Sequence, residues 1–257
     1  MRMPALFVGH GSPMNALEDN PHTDAWRRLG ETLPRPRAIL AVSAHFYTRG
    51  TFVTAMEQPP TIHDFGGFPD ALFAVRYPAP GDPSLAARTA ELLAPVPVGL
   101  DRGEWGLDHG SWSILMRMYP RADIPVVQLS LDATLAPRDH YRLAQRLRPL
   151  RDEGVLIFAS GNVVHNLREV RFSPAAPAAG WAQRYEDAVA RGLSLRDHDA
   201  LIDYRHLDPE ALRACPTPEH YLPLLYVLAQ QDDGEAITLP TRGIELHSVS
   251  MLSAQVG

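Results

Sequence analysis

The sequence predicts an α/β fold, a single domain with a mostly parallel, mixed central sheet and helices on both faces. Three observations carry this expectation. Short apolar runs ending in Gly, Ser or Asn alternate with longer segments of helical period, which is the pattern of repeated βαβ units. The apolar runs are nearly continuous, as strands covered on both faces are. The chain has 257 residues, 45% hydrophobic and 21% charged, enough for a core that needs neither disulfides nor a structural metal. No segment reads as a linker and no internal repeat occurs, so residues 1–257 are expected to form one domain.

Inner strands are predicted over 5–9, 38–43, 124–131 and 155–160. Helices are predicted over 24–33, 83–93, 111–118, 137–151, 181–193 and 218–230, several opening on Pro or on a Ser, Thr or Asp cap. Pro-rich stretches at 58–60, 77–83 and 173–180 read as loops. The tail 243–255 alternates residue types and is expected to add an edge strand or hairpin.

All 24 basic residues are arginine. Without lysine the chain cannot be a Schiff-base aldolase, a pyridoxal-phosphate enzyme or a phosphate-loop NTPase. A net charge of −6 argues against nucleic acid or an anionic membrane as partner. The lone Cys215 forms no intrachain bridge. The apolar start is too short for a signal peptide and no run of about 18 apolar residues occurs, so a soluble, cytoplasmic protein is expected. Oligomeric state leaves no mark in the sequence.

The chemistry is expected at histidines. His10 follows the first inner strand, His45 the second, and His165 lies a few residues after the strand at 155–160. Ligands of open α/β sheets bind beyond the carboxyl ends of the strands, so these three imidazoles are expected to share a crevice. A single histidine is more often a hydrogen-bonded core or rim residue; three at equivalent strand ends favour convergence. Gly9, Gly11, Ser43, Ala44, Ser160 and Gly161 beside them permit close approach.

In TPEHYLPLLYVLA, Thr217 is expected to cap a helix and Pro218 to open it. His220 then shares an apolar face with Leu224 and Val227 and needs a buried partner, a metal or a carbonyl. Glu219 would point away from that partner. His109 lies in a Gly-rich loop where Asp108 either orients it or caps the next helix. His22, His140, His198, His206 and His247 are expected in solvent; His63 in TIHDFGGFP is kept as a candidate. No GxSxG, CxxC, HExxH or GxGxxG motif occurs. Imidazole ligands suit Zn(II), Fe(II), Cu and Ni alike.

The motifs HGSPMN, VSAHF, PPTIHDFGGFP, WGLDHGSW, PVVQLS, ASGNVVHNL and TPEHYLPLLYVL, in this order, resemble the class III extradiol ring-cleavage dioxygenases, nearest the 4,5-DOPA extradiol type. The resemblance spans about residues 4–255. It implies a single catalytic α/β domain, with one divalent metal on His10, His45 and His220. It implies that His165 faces the metal as a further ligand or as the acid/base group, and that His109 lines the substrate site. Relatives in the wider family use two histidines and a glutamate on Fe(II), whereas this chain offers a third histidine. Fe(II) is the ion expected for turnover, and Zn(II) is an alternative occupant.

The substrates implied are a small aromatic diol, a catechol such as L-DOPA, and O2. Three neutral imidazoles leave the ion's +2 charge intact, which favours a catecholate. Any substrate carboxylate would have to be met by arginine. Two other readings compete. One is a zinc hydrolase with metal-bound water on the same site. The other is a binding protein without turnover, its pocket lined by Phe46, Phe65, Phe68 and Trp105.

Overall fold

Four strands with almost unbroken apolar sequence lie at the centre of an eight-stranded sheet in a computed structural model, which describes residues 2–173 and 176–257. In chain order the elements are β1 (Ala5–Gly9), α1 (Pro21–Thr32), β2 (Ala38–Thr48), β3 (Thr51–Thr54), α2 (Asp70–Phe73), α3 (Pro83–Leu93), β4 (Val98–Asp101), α4 (His109–Met118) and β5 (Val126–Asp132). There follow α5 (Pro137–Gln145), α6 (Pro149–Asp152), β6 (Val155–Gly161), α7 (Gly180–Leu195), α8 (His198–Ile202), α9 (Ala211–Ala214) and α10 (Leu222–Leu228). Four short strands end the chain: β7 (Ile237–Thr238), β8 (Ile244–Glu245), β9 (Val249–Ser250) and β10 (Ala254–Val256).

The strand order is β4-β3-β5-β2-β6-β1-β10-β7. The central run β5-β2-β6-β1 is parallel throughout, and β3-β5, β1-β10 and β10-β7 are antiparallel, so the sheet is mixed as expected. Alternate residues of one strand feed two cores, because successive side chains point to opposite faces. Leu40 and Val42 pack with Trp181, Tyr185 and Leu225 on one face. Ile39 and Ala41 pack with Trp26, Trp112 and Leu115 on the other. Of the expected tail elements the hairpin forms, as β8 and β9 in a separate sheet, while β10 lies between β1 and β7 and is not an edge strand. Among the described residues no helix is long and apolar enough to cross a membrane.

Several boundaries differ from expectation for identifiable reasons. Helix α1 opens at Pro21, not 24, because Asn20 accepts from the His22 and Thr23 backbone while Thr23 answers it in a capping box. Strand β5 opens after Pro125, which has no N–H to give a neighbour. The helix predicted over 137–151 breaks into α5 and α6 before Pro149. The helix predicted from 218 starts at Leu222, since Pro223 is tolerated only in a first turn. Strands β3 and β4 and helix α2, four residues each, were too short to show a period. Loop 58–60 forms; loop 77–83 does too, except that Pro83 already belongs to α3; in 173–180, Pro174 and Ala175 lie outside the described residues and Gly180 opens α7.

Three large buried polar side chains show how such groups are matched inside the fold. Arg151, 1% exposed, spans Glu235 with two hydrogen bonds of 2.8 and 2.7 Å and donates to the Met3 and Gln230 carbonyls. Tyr185 and Tyr221 are fully buried and donate to the Tyr204 and Leu201 carbonyls.

Candidate active site

Strands β1, β2 and β6 run parallel, so their carboxyl ends open on one edge of the sheet. His10 follows β1 directly. His45 lies inside β2, not after it: the pairing with β5 shifts register between Val42 and Tyr47, an irregularity of the kind that re-aims a side chain. His165 comes four residues past β6, with its N–H on the Ala214 carbonyl. His220 sits in the turn before α10, and that turn docks on β6 where the Asn162 N–H meets the His220 carbonyl at 2.8 Å. His109 is the first residue of α4, capped by Asp108 through the Ser111 N–H.

These five imidazoles converge. The rings of His10, His45 and His220 have centroids 5.1–5.3 Å apart. His109 lies 4.0 Å from His45, and His165 stacks on His220 at 3.4 Å. Candidate ligand atoms gather in two groups, each within 4.8 Å: His10 with His45 and His109, and His165 with Glu219 and His220. The sequence sets His109 and Glu219 apart from the expected ligands; the fold gathers both among them. Glu219 arrives because its segment is a turn, not a helix, and Thr217 bonds its carboxylate instead of capping.

The rings are anchored from behind. His109 Nδ1 bonds Asp64 Oδ1 at 3.0 Å, and His45 Nδ1 lies 3.2 Å from Asp64 Oδ2. His220 Nδ1 lies 3.2 Å from Glu219 Oε1, and His10 Nδ1 is 2.9 Å from Ser160 Oγ. A carboxylate only accepts, so the Nδ1 atoms of His109 and His220 carry the proton and their Nε2 atoms keep a lone pair, whereas Asp64 Oδ2 lies close to His45 Nδ1 without a hydrogen bond. His45 Nε2 faces His10 Nε2 at 3.4 Å, and His220 Nε2 is buried with no hydrogen-bond partner among the described residues. Convergent imidazole lone pairs with carboxylates behind them fit a divalent first-row metal.

Electrostatics agree with that fit. Burial, reinforced by the neighbouring imidazoles, holds His10 and His220 well below the ordinary histidine range. Burial and His109 bring His45 down to about 3, and burial brings His165 to about 4. All four are neutral at pH 7, the form that binds metal. Burial alone would raise Asp64, but the hydrogen bonds and charge of His109 outweigh it and lower the carboxyl to about 2. Burial, with Asp64 nearby, raises Asp108 to about 6, and Ser43 and Gln128 bond its two oxygens.

A cavity of about 480 Å³ opens above the imidazoles, lined by Phe65, Phe68, Leu167, Val170, Phe172 and Leu246. Phe65 and Phe68 are where the sequence put them. Phe46 and Trp105 are not: they stack on each other at 4.8 Å and line a separate groove with Phe52 and Leu100. The expected arginine is also missing, since no arginine lines this cavity among the described residues. His63 stays outside, bonded to the Val75 carbonyl and packed on Trp112. His140, expected in solvent, is fully buried 3.1 Å from the Tyr226 hydroxyl, because its helix turns that face inward. His22 and His198 are also engaged, with Glu245 and with Tyr141 and Gln231.

A family model described as the catalytic LigB subunit of aromatic ring-opening dioxygenase matches residues 4–254. The chain belongs to this family and is an extradiol ring-cleaving dioxygenase. It is 56% identical over 260 residues to the 4,5-DOPA dioxygenase extradiol of Escherichia coli K12, covering 100% of this chain and 95% of that protein. The Beta vulgaris protein of the same name is 39% identical, over 85% of this chain and 83% of the relative. A crystal structure of an uncharacterized E. coli K12 protein superposes with a TM-score of 0.89 at 51% identity, covering both chains completely. Family membership decides against the zinc-hydrolase and turnover-free readings.

Proposed function

We propose that the protein opens the ring of a catechol of the L-DOPA type with O2 at one divalent metal, giving a seco-DOPA-like muconate semialdehyde. The ring C–C bond beside the diol breaks, and both atoms of O2 enter the product, one in the new aldehyde and one in the new carboxylate. The observation that carries the reading is the convergence of buried Nε2 atoms whose rings are fixed from behind, above all His220 Nε2, which has no hydrogen-bond partner among the described residues.

In this reading His10, His45 and His220 hold the ion, with His165 beside them as a fourth ligand or as the acid/base group. Bound Fe(II) would supply the electron exchange between ring and O2 as well as the positive charge that favours a phenolate, whereas Zn(II) supplies only the charge. His165, neutral at pH 7, is suited to take a phenolic proton and return it later. His109, held by Asp64, lines the substrate side of the cavity, and Phe65 and Phe68 give the aromatic ring a dry wall. Holding diol and oxidant in one cavity turns a three-body encounter into a step within a complex.

The test is oxygen uptake by anaerobically prepared Fe(II) protein on a catechol panel that includes L-DOPA. One O2 consumed per catechol, with a yellow semialdehyde formed, is the expected result. No uptake on any catechol would overturn the proposal.

A further inference from the structure

A second cleft, of about 550 Å³, opens beyond the carboxyl ends of β2 and β5, where Tyr47 and Ala133 line it. Pro218 and Leu222 also line it and bracket His220 in sequence, yet His220 itself faces the catalytic cavity, and the described linings of the two have no residue in common. One side of the cleft is apolar, formed by Leu135, Ile202 and Leu222. The other carries Arg138, from the first turn of α5, and Arg205, from the turn after α8.

The charges on this side are unbalanced. Arg205 is exposed with its guanidinium carbon 5.8 Å from the Tyr204 ring centroid, and it meets no carboxylate among the described residues. Arg138 bonds Asp199 at 2.8 Å, but that carboxylate is 82% exposed, so the pair is a weak surface one. Asp203, the carboxylate among the described lining residues, is engaged by His206 Nδ1 at 2.7 Å. Helix α5 opens on Ala136, which has no side chain to cap it, so the positive end of its dipole meets the cleft at Ala136 and Pro137. Tyr204, 1% exposed, lines the same cleft with a buried hydroxyl that has no hydrogen-bond partner among the described residues. Buried hydroxyls are ordinarily paired, so this one points to a ligand.

We propose that this cleft is a second binding site, for a small monocarboxylate with an apolar body, of the arylalkanoate type. The carboxylate lies across Arg138 and Arg205, whose planar forks match its two oxygens, and the apolar body rests on Leu135, Ile202 and Leu222. Two arginines against Asp203 suit a single negative charge. The volume is that of a small-molecule site. The site lies outside the imidazole cluster and does not depend on the ring-cleavage reading.

Isothermal titration calorimetry on the Zn(II)-loaded protein compares 3-phenylpropanoate with 3-phenylpropan-1-ol, which match in length, lack a diol and differ in charge. The carboxylate should bind at least about 10-fold more tightly than the alcohol, the scale of a hydrogen bond to a charged group. Arg205→Gln and Arg138→Gln, both at exposed positions, should each lower its affinity by about 10-fold with unfolding temperature and oxygen uptake on catechols unchanged. His10→Ala, which removes an expected metal ligand, should leave the affinity intact. Equal affinity for the two compounds, or no binding of the carboxylate, overturns the proposal. Affinity that survives both arginine substitutions, or that falls with His10→Ala, overturns it too, since the carboxylate would then sit on the metal. Carboxylate binding that follows the arginines in a protein that consumes no O2 upholds the site and fails the ring-cleavage reading alone.

Discussion

Gly161, the last residue of β6, is the point at which the turn carrying His220 rests on the sheet. A methyl group added there would lie 2.2 Å from the His220 carbonyl oxygen and 3.2 Å from its carbonyl carbon and from Pro223 Cγ. Real contacts of this kind do not fall below 3.0 Å, so the turn must retreat by roughly 0.8 Å. That retreat also pulls the His220 carbonyl off the Asn162 N–H. Metal–ligand distances tolerate only about 0.2 Å, so Gly161→Ala should weaken metal binding by roughly 10–100-fold. Overpacking should cost about 1–3 kcal/mol of stability in the metal-free protein. Chelator competition reads the first effect and thermal unfolding of the apo form the second. Gly103→Ala, with nothing within 4 Å of the added carbon, is the control and should change neither. Wild-type metal affinity in a destabilised Gly161→Ala protein would refute the reasoning, since His220 would have moved without consequence.

Alanine at His10, His45 or His220 should each strip most of the metal while circular dichroism stays native, because two large cores stand without the ion; full occupancy in two of the three ends the ligand assignment. His165→Gln should retain metal and lose kcat by about 10²–10⁴-fold if the group is an acid/base, or lose metal and rate together if it is a ligand. His109→Ala should keep the metal and spoil substrate handling, and near wild-type kcat/KM in both variants would move the active site elsewhere. Asp64→Asn removes the negative charge behind His109 and beside His45, so metal affinity should fall about 10–100-fold with unfolding temperature little changed; unaltered affinity would make Asp64 a mere loop anchor.

Much of this was legible in the residue order. His10, His165 and the four inner strands could be located because parallel strands covered on both faces write continuous apolar runs, and their ends share an edge. His45 was found for partly the wrong reason, since no period marks the irregularity that turns it inward from within β2. Glu219 was lost through Pro223: reading the helix from Pro218 rotated the glutamate away, whereas the proline delays the helix and leaves a turn. Asp64 left no signal, because its partners lie 19 residues before and 45 after it and only the fold joins them. The groove of Phe46 and Trp105 shows the same limit, as aromatic residues near a site in sequence need not line it in space.

The clasp of Arg151 on Glu235 has a consequence for how the protein meets alkali. Guanidinium groups stay charged past about pH 12, so the arginine ion pairs do not loosen in the range where lysine amines, titrating near about 10.4, would let go. What yields first are hydroxyls and the thiol. Burial raises Cys215 to about 12 and Tyr119 to about 12, and it lifts Tyr221 and Tyr226 above the usual tyrosine range. Unfolded, these groups release protons near about 8.5 for the thiol and about 10 for the phenols. The folded chain keeps those protons longer, so the stability they contribute is complete below about pH 8.5 and declines as pH climbs through their folded values. Unfolding temperature should therefore hold level from neutrality to about pH 8.5 and then fall, with the arginine clasps still closed as the interior lets go.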